Sequence, residues 1–438
     1  MTNDIECLDS DVDIVIVGGG LAGLSMAAAL SNLPIRIVIL EHAISPLQSA
    51  PSKEVKSNYS PSFDDRALAL SSTSINILKN IGVLSDIDIL NCTPIEQIHV
   101  SDKGHIGMLR MKASDLDEEN FGRVIAAPLL GSKLVEFNSI KDFNAEISVI
   151  DQSKVSKLIH QSDTVTIEFK QSSSNVESEK SISAQLAILA DGGRSNLAEQ
   201  IGLIANSVDY EQVGILCNVI VEQEHKNIAY ERFTESGPIA LLPIRQNEYK
   251  LVWTVLPSQE QQLLAWSDEE FLDQLQNHFG FRAGIFKAVG KRVSYPLRAK
   301  SRSQLVSGRV ALIGNAAHSL HPIAGQGFNL GLRDVACLAE ILTDLSISAE
   351  DQSNTQAIDF GKVEALFEYQ SSRENDVERT AFFTDQLVKV FSTSSPPIAM
   401  LRSLGILALD RHPSLKKQFM RKLMGFSDQS LRLVKDKL

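Results

Sequence analysis

Residues 13–41 read DIVIVGGGLAGLSMAAALSNLPIRIVILE, and no other stretch restricts the fold of this chain as tightly. Asp13 to Val17 is a mostly β-branched run that stops at three glycines, which predicts a short buried strand. Leu21 to Asn32 is alanine-rich and predicts a helix, and the apolar run at 34–41 predicts a second strand. The order strand, glycine turn, helix, strand is a βαβ unit. Gly18, Gly20 and Gly23 form GxGxxG in its turn: Gly18 permits the tight turn, Gly20 lets backbone approach a pyrophosphate, and Gly23 lets helix and strand pack closely. Glu41 closes the second strand 18 residues after Gly23, where a carboxylate accepts from a ribose hydroxyl. The pattern points to an adenine dinucleotide without choosing FAD or NAD; a glycine turn holding no ligand is the alternative. Acidic residues precede the apolar run and glycines interrupt it, so it reads as neither a signal peptide nor a membrane span.

Two further strands run into polar turns. LeuAlaIleLeuAla at 186–190 leads into Asp191-Gly192-Gly193-Arg194-Ser195, and ValAlaLeuIle at 310–313 leads into Gly314-Asn315. Loops at the carboxyl ends of parallel strands are where such sheets bind ligands, and a long dinucleotide needs several of them. The third turn continues as GNAAHSLHPIAGQGFNLGLRD, residues 314–334, with His318 and His321 three apart. That pair is compatible with a metal, with proton transfer at His321, or with histidines that order the loop through backbone hydrogen bonds. No other ligand type stands at metal-site spacing, so no metal is expected.

With 438 residues, 43% hydrophobic and 22% charged, the chain has the make-up of a soluble globular protein with two or three substructures. Its four cysteines, Cys7, Cys92, Cys217 and Cys337, lie far apart, which suits a reducing compartment such as the cytoplasm. Net charge is −12, although residues 411–438 carry eight Lys/Arg against two Asp, a local +6 that leaves −18 on the remainder. A body so acidic argues against a nucleic-acid partner.

GxGxxG, the DGGRS turn at 191–195 and the 314–334 segment together resemble the three signatures of the aromatic-ring flavoprotein monooxygenases of the p-hydroxybenzoate hydroxylase fold. HPIAGQGFNLGLRD, with SFDDRALALSS at 62–72, HVSDKGHIGML at 99–109 and ERFTESGPIALLPI at 231–244, resembles more narrowly the ubiquinone-biosynthesis hydroxylases, and among them the 2-polyprenyl-6-methoxyphenol hydroxylases. The resemblance implies an α/β chain: a Rossmann-like FAD-binding domain (1–89, 113–207, 300–345), an inserted, mostly antiparallel β-sheet substrate domain (90–112, 208–299) and C-terminal helices (346–438). It implies FAD as cofactor, NAD(P)H as a transient electron donor, and O2 adding at flavin C4a before a polyprenylated phenol is hydroxylated. The HPIAGQG turn then lies against the flavin ring, with Pro322, Gly325, Gln326 and His321 on the reactive side, and a helix from about Gly327 to Thr343 points its N-terminus at the ring. Gly314, Asn315, Gly327, Asn329, Asp191 and Arg66 fall on the cofactor side, Arg66 at the start of an expected helix, where an ion pair with Asp64 or Asp65 is its alternative. Two positions depart from the family: Asn315 stands where Asp is usual, and Ala198 where the second signature often has Arg.

Segments 94–100, 106–111, 213–222, 228–234, 238–244 and 249–256 read as strands, and their apolar residues suit either a prenylated substrate or a plain sheet core. Segments 43–62 and 346–357 read as a polar loop and a linker. In SLKKQFMRKLMGF, 414–426, Leu415, Phe419, Leu423 and Phe426 share a helical face flanked by Lys416, Lys417, Arg421 and Lys422. Such a helix either lies on an anionic inner leaflet or a partner of a quinone-biosynthesis assembly, or packs its stripe on the body. A flavin dehydrogenase, a sister hydroxylase acting at another ring position, and a non-catalytic prenyl-binding protein remain alternatives on the same fold.

Overall fold

The computed structural model describes residues 6–44, 66–140, 142–173, 176–321, 325–351, 358–391, 396–423 and 431–438. The expected βαβ unit is present as strand Glu6–Val17, helix Leu21–Ala29 and strand Arg36–Leu40. Strand Glu6–Val17 lies in the middle of the first sheet, parallel to Arg36–Leu40 on one side and to Val176–Leu189 on the other. Glu146–Ile150 and Val310–Leu312 extend the parallel set outward. Being covered on both faces, these strands are continuously apolar, and Ile14, Val15, Ile16, Ile37, Leu186 and Ala187 have no solvent exposure. Strands Ser153–His160 and Val165–Ser173 add an antiparallel flap to the same sheet.

The second sheet is mostly antiparallel. Its order runs His318–Ser319, Val293–Arg302, Ala205–Val221, Glu248–Val255, Gly237–Arg245, Ile228–Thr234, Gln97–Asp102, Met108–Lys112; among the described residues its single parallel pair is Ile228–Thr234 with Gln97–Asp102. Two stretches far apart in sequence therefore join in one sheet. Its alternation has a physical consequence, because successive side chains face opposite ways. Tyr249, Leu251, Trp253 and Val255 pack with Phe271, Leu275 and Phe279 of helix Asp268–Phe279, while Val252 and Thr254 of the same strand face a cavity. One face of this strand is core, and the other meets the cavity.

Arg66 precedes strand Ala67–Ser71 rather than opening a helix. That strand is held by antiparallel pairing with Gly122–Ala126, a long-range partner that the local pattern does not contain. The helix after the third turn runs Gln326–Asp351, longer than expected, so 346–351 is helix rather than linker. Most of the expected polar loop at 43–62 lies outside the described residues.

Helix Gln326–Asp351 is almost wholly internal, and its buried Asp334 fixes the third turn. Asp334 Oδ2 accepts from Gly314 N at 2.9 Å and from His318 Nε2 at 2.7 Å, and Oδ1 accepts from Arg373 Nε at 2.8 Å. Arg373, also buried, reaches Asp376 at 2.6 Å. Burial alone would push the Asp334 carboxyl up; His318 and Arg373 more than reverse this and hold it below its usual value. A second bridge is Arg302, whose Nε donates to Ala316 O at 3.0 Å while its Nη2 meets Glu199 at 2.7 Å. It ties the third turn to the helix that follows the second.

The C-terminal helices Val363–Phe391, Pro396–Arg411 and Pro413–Leu423 return over the second sheet. Buried Arg402 donates to Asp102 at 2.8 Å, and a β-carbon at Gly107 would stand 3.0 Å from Ser403 Cα, so this backbone approach needs glycine. In Pro413–Leu423, Phe419 and buried Met420 turn inward, Leu415 is half exposed, and Lys416 pairs with Asp410 at 3.2 Å. The expected single stripe is thus divided between body and solvent. The side chains of Lys422 and Leu423, and Phe426 entirely, lie outside the described residues. The last segment docks on the first domain's core, with Leu433 buried and its carbonyl accepting from Asn80 Nδ2 at 2.9 Å.

Because Asp334 neutralises a buried guanidinium, Asp334→Ala should lower unfolding free energy by about 3–5 kcal/mol. Urea denaturation of the variant is expected to show a markedly lower midpoint, and Asp334→Asn a smaller loss.

Candidate functional site

The three turns meet in space. A β-carbon at Gly18, where φ is +109°, would stand 2.6 Å from Ala190 O of the second turn. One at Gly193 would stand 2.6 Å from Asn315 O of the third, and one at Gly314 would stand 3.1 Å from the Ala22 side chain of the first. At Gly23 it would lie 1.9 Å from Gly18 O, so helix Leu21–Ala29 approaches its own strand as closely as backbone allows. These contacts close a ring of backbone around the carboxyl ends of three parallel strands. Gly20 is the N-cap of helix Leu21–Ala29; that helix has no side-chain cap and no acidic residue in its first turn. A positive helix end without a competing carboxylate fits a pyrophosphate.

Glu41 is buried at the end of the second strand, its Oε2 accepting from Gly19 N at 2.6 Å and its Oε1 from Ala43 N at 2.8 Å. The carboxylate is fixed beside the first turn, with lone pairs left for a ribose. Asp191 accepts from Gly193 N at 2.9 Å and from Ser195 N at 3.2 Å, and so orders its own turn. Asn315 is exposed while Gly314 beside it is buried. Arg66 is half-buried and follows the segment outside the described residues.

Asn329 is occupied within the protein. Its Oδ1 accepts from Ser71 N at 2.9 Å and its Nδ2 donates to Ala69 O at 2.8 Å and to Gly325 O at 2.7 Å. It brackets strand Ala67–Ser71 against Gly325, which has φ +61°. Pro322 lies outside the described residues. Gln326 opens the long helix, which has no acidic residue in its first turn, and a β-carbon at Gly327 would meet nothing.

His318 and His321 part company. His318 belongs to the Asp334 network, so its anchor is a carboxylate and not the backbone. His321 is buried edge-on against Tyr210, ring centroids 5.0 Å apart, and burial pushes its imidazole down to about 4, which leaves it neutral near pH 7. Among the described residues no group of three or more His, Cys, Asp or Glu is placed to hold a metal ion.

Beyond Gly325, Gln326, Asn329 and His321 opens a cavity of about 390 Å³, large enough for a small organic ligand. Ala69, Leu70 and Ser71 line the same end. The second sheet supplies a wall of alternating residues: Ile98 and Val100, Leu109 and Met111, Ala229 and Phe233, Ala240 and Leu242. Ile406, Leu409 and Phe419 of the C-terminal helices close the other side. Sequence reasoning does not find Asp334, Arg302 or Arg402. Asp334 ends the quoted GLRD, but nothing local says that it turns inward.

Glycine turns meeting at the ends of parallel strands, with an apolar cavity beside the segment after the third, suit a flavin-dependent aromatic hydroxylase. The overall fold agrees: p-nitrophenol 4-monooxygenase PnpA from Pseudomonas putida superposes with a TM-score of 0.72 at 20% identity, covering 98% of this chain and 100% of its own. A single-residue variant of Klebsiella pneumoniae HpxO, complexed with FAD, gives 0.68 at 17%, covering 94% and 98%. The FAD binding domain family model matches residues 11–353. In sequence the chain is 32% identical over 417 residues to ubiquinone hydroxylase UbiL of Rhodospirillum rubrum, spanning 95% of this chain and 90% of that protein. It is 27% identical to 3-demethoxyubiquinol 3-hydroxylase of Escherichia coli, over 94% and 98%, and 26% identical to human COQ6, a mitochondrial ubiquinone-biosynthesis monooxygenase, over 94% and 92%. The chain belongs to the ubiquinone-biosynthesis flavoprotein hydroxylase family, within the FAD-binding domain family, and its cofactor is FAD.

Gly325→Val places a β-branched residue at positive φ, with its β-carbon 3.3 Å from Ala69 Cβ. A left-handed backbone costs an L-residue about 1–2 kcal/mol, so FAD affinity should fall roughly tenfold while far-UV circular dichroism is retained. Flavin released on desalting, compared with wild type, measures it.

Proposed function

We propose that this protein hydroxylates the ring of a polyprenylated phenol of the 2-polyprenyl-6-methoxyphenol type, using NAD(P)H and O2. The observation that carries this reading is the apolar cavity bordered by Gly325, Gln326 and Asn329, which stand in the segment that continues from the third glycine turn. FAD, when bound, would supply the redox chemistry, hydride acceptance from a nicotinamide and activation of O2.

The chain's own groups bind, orient and exclude water. Gly18, Gly20 and Gly23 with the helix end after them take the pyrophosphate, and Glu41 takes the ribose of the adenosine half. Gly314 and Asn315 would help to hold the cofactor, Asn315 with an amide in place of a carboxylate, a neutral donor and acceptor. The start of helix Gln326–Asp351, at the cavity end, offers its positive pole to the ring system and favours negative charge there. Asn329 holds Gly325 against Ala69, which fixes the floor on which the reacting ring stands. A mostly hydrocarbon wall excludes water from the reactive end, strengthens every charge interaction inside it, and receives prenyl carbons. His321, neutral and against Tyr210, borders the same end and carries no charge into it near pH 7.

Among the described residues no helix is long and apolar enough to cross a membrane. A substrate with a polyprenyl tail reaches the cavity from a bilayer or from a partner. The exposed Lys417 and Arg421 on helix Pro413–Leu423, next to the Phe419 wall, are the groups that would meet an anionic surface.

Cells lacking the protein should accumulate a prenylated methoxyphenol, identified by mass spectrometry of lipid extracts. Accumulation of a prenylated methoxy-methyl-benzoquinol instead would move the reaction to a later ring position. Purified protein should be yellow, release FAD on acid precipitation, and couple NAD(P)H oxidation to oxygen uptake when a prenylated phenol is added. Reduction of an acceptor without oxygen uptake would make it a dehydrogenase.

A further inference from the structure

One side chain in the cavity wall is unlike the rest. Strand Ile228–Thr234 alternates, with Ala229, Glu231 and Phe233 on the cavity side. Arg232 points to the back of the sheet, where its Nε donates to His278 O at 3.0 Å and its Nη1 to Ser101 Oγ at 3.2 Å. Glu231 is flanked in register by Ala240 on one strand and Val100 on the other, both of which also line the cavity. Neither offers a polar side-chain atom. Among the described residues its Oε1 is buried and makes no hydrogen bond. A carboxyl placed among hydrocarbon without a partner costs stability, so its presence on a substrate-facing wall calls for a ligand group that completes it.

Other charged and titratable groups of the cavity are already engaged. Arg402 is paired with Asp102 at the end of strand Gln97–Asp102. The Tyr230 hydroxyl donates to Arg282 O at 2.9 Å, and His321 packs against Tyr210. None of these faces Glu231 with a charge, and burial alone pushes its carboxyl up to about 8.

We propose that Glu231 receives the ring hydroxyl of the substrate, first as its hydrogen-bond partner and then, ionised, as the base that takes its proton before the ring is attacked. This rests on the phenol-hydroxylase reading above. In the step the phenol O–H bond breaks, the proton passes to a Glu231 oxygen, and the electron pair stays on the phenolate. Electron density rises at the ring carbons ortho and para to that oxygen, which are the carbons to be hydroxylated. Once the attacked carbon has taken oxygen and lost its own proton to solvent, the proton on Glu231 returns to the ring oxygen. The step consumes no oxidant. A carboxyl near 8 is matched to it, because a stronger acid would be too weak a base toward a phenol. The same group gives selectivity: a prenylated ring without a free hydroxyl would leave Glu231 unsatisfied.

The test uses the FAD-loaded protein with 2-prenylphenol and its methyl ether as probes. Wild type should bind the phenol about tenfold more tightly than the ether, read from perturbation of the flavin absorbance, and its coupled hydroxylation rate should rise with pH to a plateau above about 8. Glu231→Gln, close in shape to the protonated side chain, should retain FAD and a KM within a few-fold, lose about 10²-fold in kcat, and lose the limb near pH 8. Glu231→Leu should bind phenol and ether equally. Wild-type rate and pH profile in Glu231→Gln, or a wild type indifferent to the methyl ether, overturns the assignment of Glu231 and leaves the hydroxylase reading standing. No oxygen uptake by wild type with 2-prenylphenol or longer prenylphenols overturns that reading and this inference with it.

Discussion

Asp334 carries more of this molecule than any other single group. It sits inside a helix with no access to solvent, and its two oxygens hold Gly314 N, His318 and Arg373. Through Gly314 it fixes the third turn; through His318 it fixes the segment that leads to the cavity; through Arg373 it fixes helix Val363–Phe391 from the C-terminal region. A β-carbon at Gly331 on the same helix would stand 3.0 Å from Gly314 Cα, so helix and turn touch backbone to backbone. A buried charge network of this kind contributes little net stability, since desolvation offsets most of the attraction, but its loss leaves unpaired charges that are costly. Here it fixes the third turn at the end of the parallel sheet.

The second constraint is the two-sidedness of the large sheet. One face is a dry core of aromatic side chains against helix Asp268–Phe279, in which Trp253 meets Phe271 with ring centroids 5.5 Å apart. The opposite face is shared between a second hydrophobic cluster, which includes Leu109, Met111 and Ala229, and the cavity. The strands reach the cofactor domain at their ends: Ser301 pairs with His318 and Lys300 with Ser319, so the substrate wall and the third turn share a ladder. Arg302, one residue on, reinforces the same joint. The second sheet and the third turn are thereby held in register by backbone pairing, which tolerates less play than a side-chain hinge.

Several residues of the site are legible in the sequence because each carries a local signature. Gly18, Gly20 and Gly23 follow a strand, Asp191 follows another, and Gly314 a third; glycine and aspartate in those places announce turns whatever follows. Other features depend on distant partners. Arg66 reads as helical because its neighbours are good helix formers, and the pairing of Ala67–Ser71 with Gly122–Ala126 overrides that preference. His318 reads as a residue that orders a loop through backbone, whereas Asp334 stands 2.7 Å from it. The basic helix at 413–423 shows one apolar stripe by periodicity, yet contact with the second sheet turns Phe419 and Met420 inward and leaves Leu415 exposed.

The βαβ unit, the dinucleotide turn and the kinship with a flavoprotein family are all written in the primary structure, because they reside in short, contiguous patterns whose physical reasons are local: chain reversal, close backbone approach and strand periodicity. Which face of the antiparallel strands is core and which is chamber is settled only by long-range packing. Alternation says that two faces differ, but an apolar residue looks the same whether it meets a helix or a ligand. Glu231 is the sharpest case. In the sequence it is one of two glutamates in ERFTESGPIALLPI; between Val100 and Ala240 it is a carboxyl in an apolar cavity wall, because Val100, more than a hundred positions away in sequence, is brought alongside it.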